Sequence, residues 1–245
     1  MSEQQEFEVV KANGVDVSTQ VETSEWGDGG ISASDIIIPK LLIMQPTSED
    51  VTGGKFKMGD IINSMTEEVV GGLDKPIMLH PFLCKKIFLM YKITKTGDKI
   101  KKEFYKVLED KGQTYPFDSF DYEGIQVQAY HTYQFFAMVE GNDIPVTMIF
   151  KSSAHKVGKQ LFNVMYVMNK MAGLTPPAYW IEYGLKREKG EQSTWCVPVI
   201  KTSRKATAEE ISKCAQWVAP LMSLQMRHDD EDAAEAKKSS GPAQF

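Results

Sequence analysis

Two stretches of this sequence interleave cations with flat aromatic side chains. That is the equipment for holding an unpaired nucleic-acid strand, since ammonium groups track the phosphates and rings stack on the bases. The first is "CKKIFLMYKITKTGDKIKKEFYK". It sets Lys85, Lys86, Lys92 and Lys95 beside Phe88 and Tyr91, then Lys101, Lys102 and Lys106 beside Phe104 and Tyr105. Residues 84–106 hold eight lysines against two acids. The second stretch begins at Lys151, passes Lys156 and Lys159, and reaches Lys186 and Arg187 among Tyr179, Trp180 and Trp195. Residues 151–205 carry ten basic and three acidic side chains. Tyr130, on a strand pattern between the two, is a further stacking candidate. The arginines are Arg187, Arg204 and Arg227, among 28 basic residues. Arginine is the usual reader of guanine edges and of bidentate phosphate geometry. A lysine surface therefore points to backbone binding without sequence readout.

Other chemistry is weakly represented. "SAHKVGKQ" has Gly158 and Lys159 of a phosphate-binding loop, but Ser153 stands at the first glycine position and Gln160 at the last. That pattern is rejected. His80, His131, His155 and His228 are scattered, and neither CxxC nor HExxH occurs, so no metal site is expected. Cys84, Cys196 and Cys214 lie far apart and read as reduced, buried thiols. "PFDSFDYEG" supplies Asp118, Asp121 and Glu123. These are either a metal-holding nuclease cluster or a solvated loop before a strand, and the loop is the simpler account. The expectation is a protein without catalysis or cofactor.

The elements that must position the lysines are mostly strands. Over 76–94, with a break expected near Pro81, Ile87, Leu89, Tyr91 and Ile93 alternate with Lys86, Phe88, Met90 and Lys92. On that pattern Phe88 lies between lysines, either as an exposed stacking platform or as cover for a second core. "IQVQAYHTYQFFAMV" is the strongest strand, and "EGNDIP" turns it into "VTMIF". A helix is expected near 152–172, then a hairpin, where Trp180 or Tyr179 faces out. Thr207 and Glu210 form a capping box for a last helix near 207–225. No βαβα alternation appears. The fold class is mainly β (α+β), an antiparallel OB-like barrel or curved sheet with helical additions.

The chain has 245 residues, 42% hydrophobic, enough for a substantial core. Residues 1–34 and 227–245 read as disordered acidic arms around a single domain at 35–226. Residues 1–30 carry one lysine against seven acids, and 206–245 carry four basic residues against seven acids. The overall net charge of −5 therefore hides a basic centre. The acidic N-terminus lacks a secretion pattern and the longest apolar run is too short to span a bilayer, so a cytoplasmic protein is expected.

"DIIIPKLLIMQPTSEDVTGGKFKMGDIINS", together with "KSSAHKVGKQLFNVMYVMNKM" and "AYWIEYGLKREKGEQSTWCVPVI", resembles a group of bacteriophage proteins, some of them single-stranded DNA-binding. The resemblance covers residues 35–215 in pattern. It implies a replication or recombination protein with an OB-like barrel, able to self-associate on single-stranded DNA. Proteins that bind single-stranded DNA in bacteria and some phages end in an acidic tail closing on phenylalanine. Here Asp229, Asp230, Glu231, Asp232 and Glu235 supply the acids and Phe245 the end, although Lys237 and Lys238 intervene. By that likeness the acids compete with DNA and the end docks a replication or recombination partner. A solubilising tail is the plainer alternative. The rival functions are a phage module that inhibits a host enzyme through DNA-like acidic arms and, third, the nuclease.

Overall fold

Alternating apolar residues build two long strands, β4 (Ile77–Thr96) and β7 (Ile125–Val139). In the computed structural model, which describes residues 37–97, 99–168, 178–191 and 193–223, they pair antiparallel from Leu79↔Val139 to Lys92↔Val127. Each shares its other edge between two partners. Along β4, Ile77–Leu79 pair with β9 (Tyr179–Lys189) and Ile87–Thr96 with β5 (Lys99–Glu109). Along β7, β6 (Phe120–Tyr122) takes the start and β8 (Pro145–Phe150) the later half. β10 (Thr194–Lys205) closes a hairpin with β9. The seven-stranded sheet runs β10-β9-β4-β7-β6, and its ends do not meet. Of the two architectures expected, the OB-like barrel gives way to an open sheet, because β10 and β6 have no register with each other.

A second sheet of three strands holds β1 (Leu41–Ile43), β2 (Asp60–Asn63) and β3 (Val69–Gly72), with one helical turn, α1 (Glu49–Thr52), between β1 and β2. It is tied to the first. Thr147 N–H donates to the Pro39 carbonyl at 2.8 Å. The Gln45 amide exchanges two hydrogen bonds of 2.9 Å with the Cys196 backbone.

Strand β4 does not break at Pro81. Proline is tolerated in a sheet at a bulge, and the register passes from Pro81↔Ala137 to Leu83↔Phe136, leaving Phe82 as the extra residue. The bulge resets the alternation. Phe82 and Leu83 both join the cluster of Phe136, Met138, Cys214 and Leu221. Leu79, Tyr133, Phe135 and Phe150 belong to the larger core on the opposite face.

Each face has its helix. On the large-core face lies α2 (His155–Phe162), entered through a 3-10 turn and continued by a π-helical turn at Asn163–Met168. Gly158 lets it lie close, since a Cβ there would come within 2.6 Å of Phe150 Cβ. That is the physical role of a glycine that otherwise suggests a phosphate loop. On the other face lies α3 (Ala208–Ser223). Its capping box forms as the spacing dictates: Thr207 N–H donates to Glu210 Oε2 at 2.8 Å, and Glu210 N–H to Thr207 Oγ1 at 3.2 Å. The arms at 1–34 and 227–245, with Asp229, Asp230, Glu231, Asp232 and Phe245, lie outside the described residues, as do 169–177. The cysteines are free thiols, and burial pushes those of Cys84 and Cys214 up to about 12. Among the described residues no helix is long and apolar enough to cross a membrane.

Candidate nucleic-acid interface

Past Lys92↔Val127, β4 and β5 leave β7 behind and continue as a two-stranded ribbon, Ile93↔Lys102, Thr94↔Lys101, Lys95↔Ile100 and Thr96↔Lys99. Gly97 turns it, at φ 61°. Lys92, Lys95, Lys101 and Lys102 are exposed along it.

At the base of the ribbon three rings meet on one face. Tyr91 lies opposite both Phe104 and Gln128 in register. It stands edge-on to Phe104 at 6.0 Å and to Tyr130 at 5.6 Å. Two lysines are held at the hydroxyl ends of these rings. Lys102 Nζ donates to Tyr130 Oη at 2.7 Å and lies 5.4 Å from its ring centre. Lys151 Nζ donates to Tyr91 Oη at 2.7 Å and lies 5.2 Å from that ring. Lys151 arrives from the end of β8, since Phe150 pairs with Tyr133. Tyr130 O–H donates in turn to Gln128 Oε1 at 2.9 Å, and Gln128 Nε2 donates to the Phe117 carbonyl at 3.1 Å. Cations are thus held at the edges of the rings with the π faces left to other partners, which suits a phosphate backbone with unstacked bases.

Several expected residues go elsewhere. Lys85 Nζ donates to the Leu221 carbonyl at 2.7 Å, near the end of α3, and burial lowers its pKa. Lys86 lies on the opposite face, 4.0 Å from the Phe162 ring centre. Lys156 and Lys159 are exposed on α2, over that same opposite face. Phe88 is 6% exposed, packed edge-on to Tyr115 at 4.8 Å, so the platform reading is corrected to the core reading. The loop between β5 and β6 closes over it. Trp180 is 5% exposed, stacked on His80 at 5.0 Å and covered by Arg204 at 4.6 Å, so no base reaches it either. Tyr179 and Trp195 are half-buried on the β9–β10 hairpin, where Lys186 and Arg187 are exposed and Lys186 pairs with Glu188 at 2.8 Å.

The acids of "PFDSFDYEG" do not converge. Asp121 Oδ1 accepts from Gly124 N–H at 3.1 Å, closing a turn. Glu123 pairs with Lys106 at 3.1 Å. Among the described residues no three or more such side chains are grouped so as to hold a metal ion. A different polar chain lies on the large-core face. Asp110 Oδ2 is 3.1 Å from His131 Nε2, and His131 Nδ1 is 3.0 Å from His155 Nε2.

Sequence reasoning missed Gln128 and Phe117. Gln128 has no signal beyond sharing a strand face with Tyr130. Phe117 is 86% exposed and sits in the segment read for its acids.

A family model for Pam3 phage gp34-like proteins matches residues 10–224. No curated protein and no solved structure matches the chain.

Proposed function

We propose that this chain, which belongs to the Pam3 phage gp34-like family, binds single-stranded DNA without sequence preference in phage replication or recombination, and does so without catalysis. The observation that carries the reading is the pair of lysines hydrogen-bonded to the hydroxyls of Tyr130 and Tyr91 at the base of a lysine ribbon. Lys95, Lys101, Lys102 and Lys151 would follow the phosphates, and Tyr91 and Tyr130 would meet bases. Lysine predominance favours contact with any strand over contact with a chosen sequence. The acidic tail with Asp229, Asp230, Glu231, Asp232 and Phe245 would compete with the strand and offer an end to a partner protein.

Fluorescence anisotropy with a mixed-sequence single strand and a duplex control, over a salt series, tests this. The expected result is tight single-strand binding that weakens steeply with salt, and much weaker duplex binding. Absence of binding at low salt, with and without residues 227–245, would sink the proposal.

A further inference from the structure

We infer that Phe117 is a base-stacking platform and that Gln128 is the residue that positions it. The inference rests on the single-strand reading above and names a contact that reading does not contain. The Phe117 ring stands 86% exposed, and the chain around it is pinned on both sides. Upstream, Gln113 Nε2 donates to the Glu109 carbonyl at 2.6 Å, and Tyr115 is held against Phe88 at 4.8 Å and Phe120 at 5.4 Å. Pro116 fixes its own φ and restricts Tyr115. Downstream, Phe120 enters β6 opposite Val127. Phe117 itself is tied through its carbonyl to Gln128 Nε2 at 3.1 Å. The ring is therefore presented by a fixed backbone, which lowers the ordering entropy lost when it stacks to that of the side chain alone.

Its neighbours say what it would meet. Gln128 links Phe117 to Tyr130, and Tyr130 to Lys102, through consecutive bonds of 3.1, 2.9 and 2.7 Å. One polar chain thus joins the backbone carbonyl of the exposed residue to a cation held at the hydroxyl of a second ring. Three hydrogen bonds separate Phe117 from Lys102, so a strand whose phosphate meets Lys102 is expected to offer this ring a base. Its chain neighbours Pro116, Asp118 and Ser119 are exposed too, and Phe117 is the one aromatic ring among these four. A stable protein interface needs about 800 Å² per partner, whereas a single base needs one flat face. The occupant that fits is an unpaired base.

The test uses the full chain and an oligonucleotide carrying 2-aminopurine at successive positions. Phe117→Ala is expected to weaken single-strand binding about tenfold, the scale of one stacked base. The salt slope should stay unchanged, because no phosphate contact is lost, and so should Tm, because the ring buries almost nothing. Phe117→Trp should restore the affinity and quench 2-aminopurine at one register. Gln128→Ala should give a smaller loss, and a smaller one still on top of Phe117→Ala, where only its bond to Tyr130 remains to be lost. If the wild type binds with a steep salt slope and Phe117→Ala binds equally well, the inference fails and the single-strand reading stands. If the wild type does not bind, both fall. A drop in mass by light scattering for Phe117→Ala would assign the ring to a second copy of the chain and overturn the inference.

Discussion

Lys102 and Lys151 are the residues on which the electrostatics of the proposed interface would turn. Each Nζ is already oriented by a tyrosine hydroxyl at 2.7 Å, so little side-chain freedom remains to be lost on meeting a phosphate. Lys102→Gln and Lys151→Gln are each expected to reduce the salt slope of single-strand binding by about 0.7, the value for one phosphate contact. Lys85→Gln should leave the slope alone, since that amine is spent on the Leu221 carbonyl. A second residue-scale prediction concerns His155. Burial, then His131, then Lys159 hold its pKa below the ordinary 6.5. His131 faces Asp110 on its other side, at 3.1 Å. Two imidazole nitrogens 3.0 Å apart cannot both carry protons. A depressed folded pKa means that the unfolded chain takes the proton first. The contribution to stability is present above 6.5 and is lost as pH falls through the lower folded value. Thermal melts from neutral to mildly acidic pH should show a decline in Tm that His155→Gln flattens.

At the scale of elements, close approach and capping decide which helices fit the sheet. Gly158→Ala would gain about 1 kcal/mol of helix propensity. The new Cβ, however, would lie 2.6 Å from Phe150 Cβ and 3.1 Å from Tyr133 Cβ, both backbone-anchored atoms of the core. Overpacking of that kind costs about 1–3 kcal/mol, so the net expectation is destabilisation, read as a lower urea midpoint. Thr207→Ala removes a formed capping bond and should cost about 1 kcal/mol. The same helix end holds Glu210, whose carboxyl is drawn down to about 2, chiefly by Arg204 at 2.8 Å. The cap should therefore survive well below the usual carboxylate range and fail only in strong acid.

For the whole molecule, the arrangement of charge matters more than its total. The described residues hold the basic ribbon and its aromatic base, while both arms carry a net negative charge in a chain whose total is −5. In the proposed function, removing residues 227–245 is expected to tighten single-strand binding at low salt. The gain should shrink as salt rises, because screening weakens both the tail and the strand as competitors. Equal affinities with and without the tail across the salt series would assign it no competitive role.

Local pattern was enough to make the elements legible. Alternation marked β7 and the second half of β4, "EGNDIP" marked the β7–β8 turn, and Thr207 with Glu210 marked the start of α3. These signals depend on neighbours a few residues apart. The lysine and aromatic content of the ribbon was legible for the same reason. What the tertiary structure decided was which face each ring serves. Phe88 and Tyr91 lie three residues apart on β4, yet the loop before β6 buries Phe88 while Tyr91 meets Lys151 from a strand 60 residues away. Trp180 was taken from the surface by Arg204 in the same way, and Phe117 was left on it. Exposure is set by long-range packing, and so is the open edge that replaced a closed barrel. Sequence alone determined that lysines and aromatic rings alternate along two stretches, because that is a matter of neighbouring residues, and only the folded arrangement decided which of them share an exposed face, because that depends on contacts between distant strands.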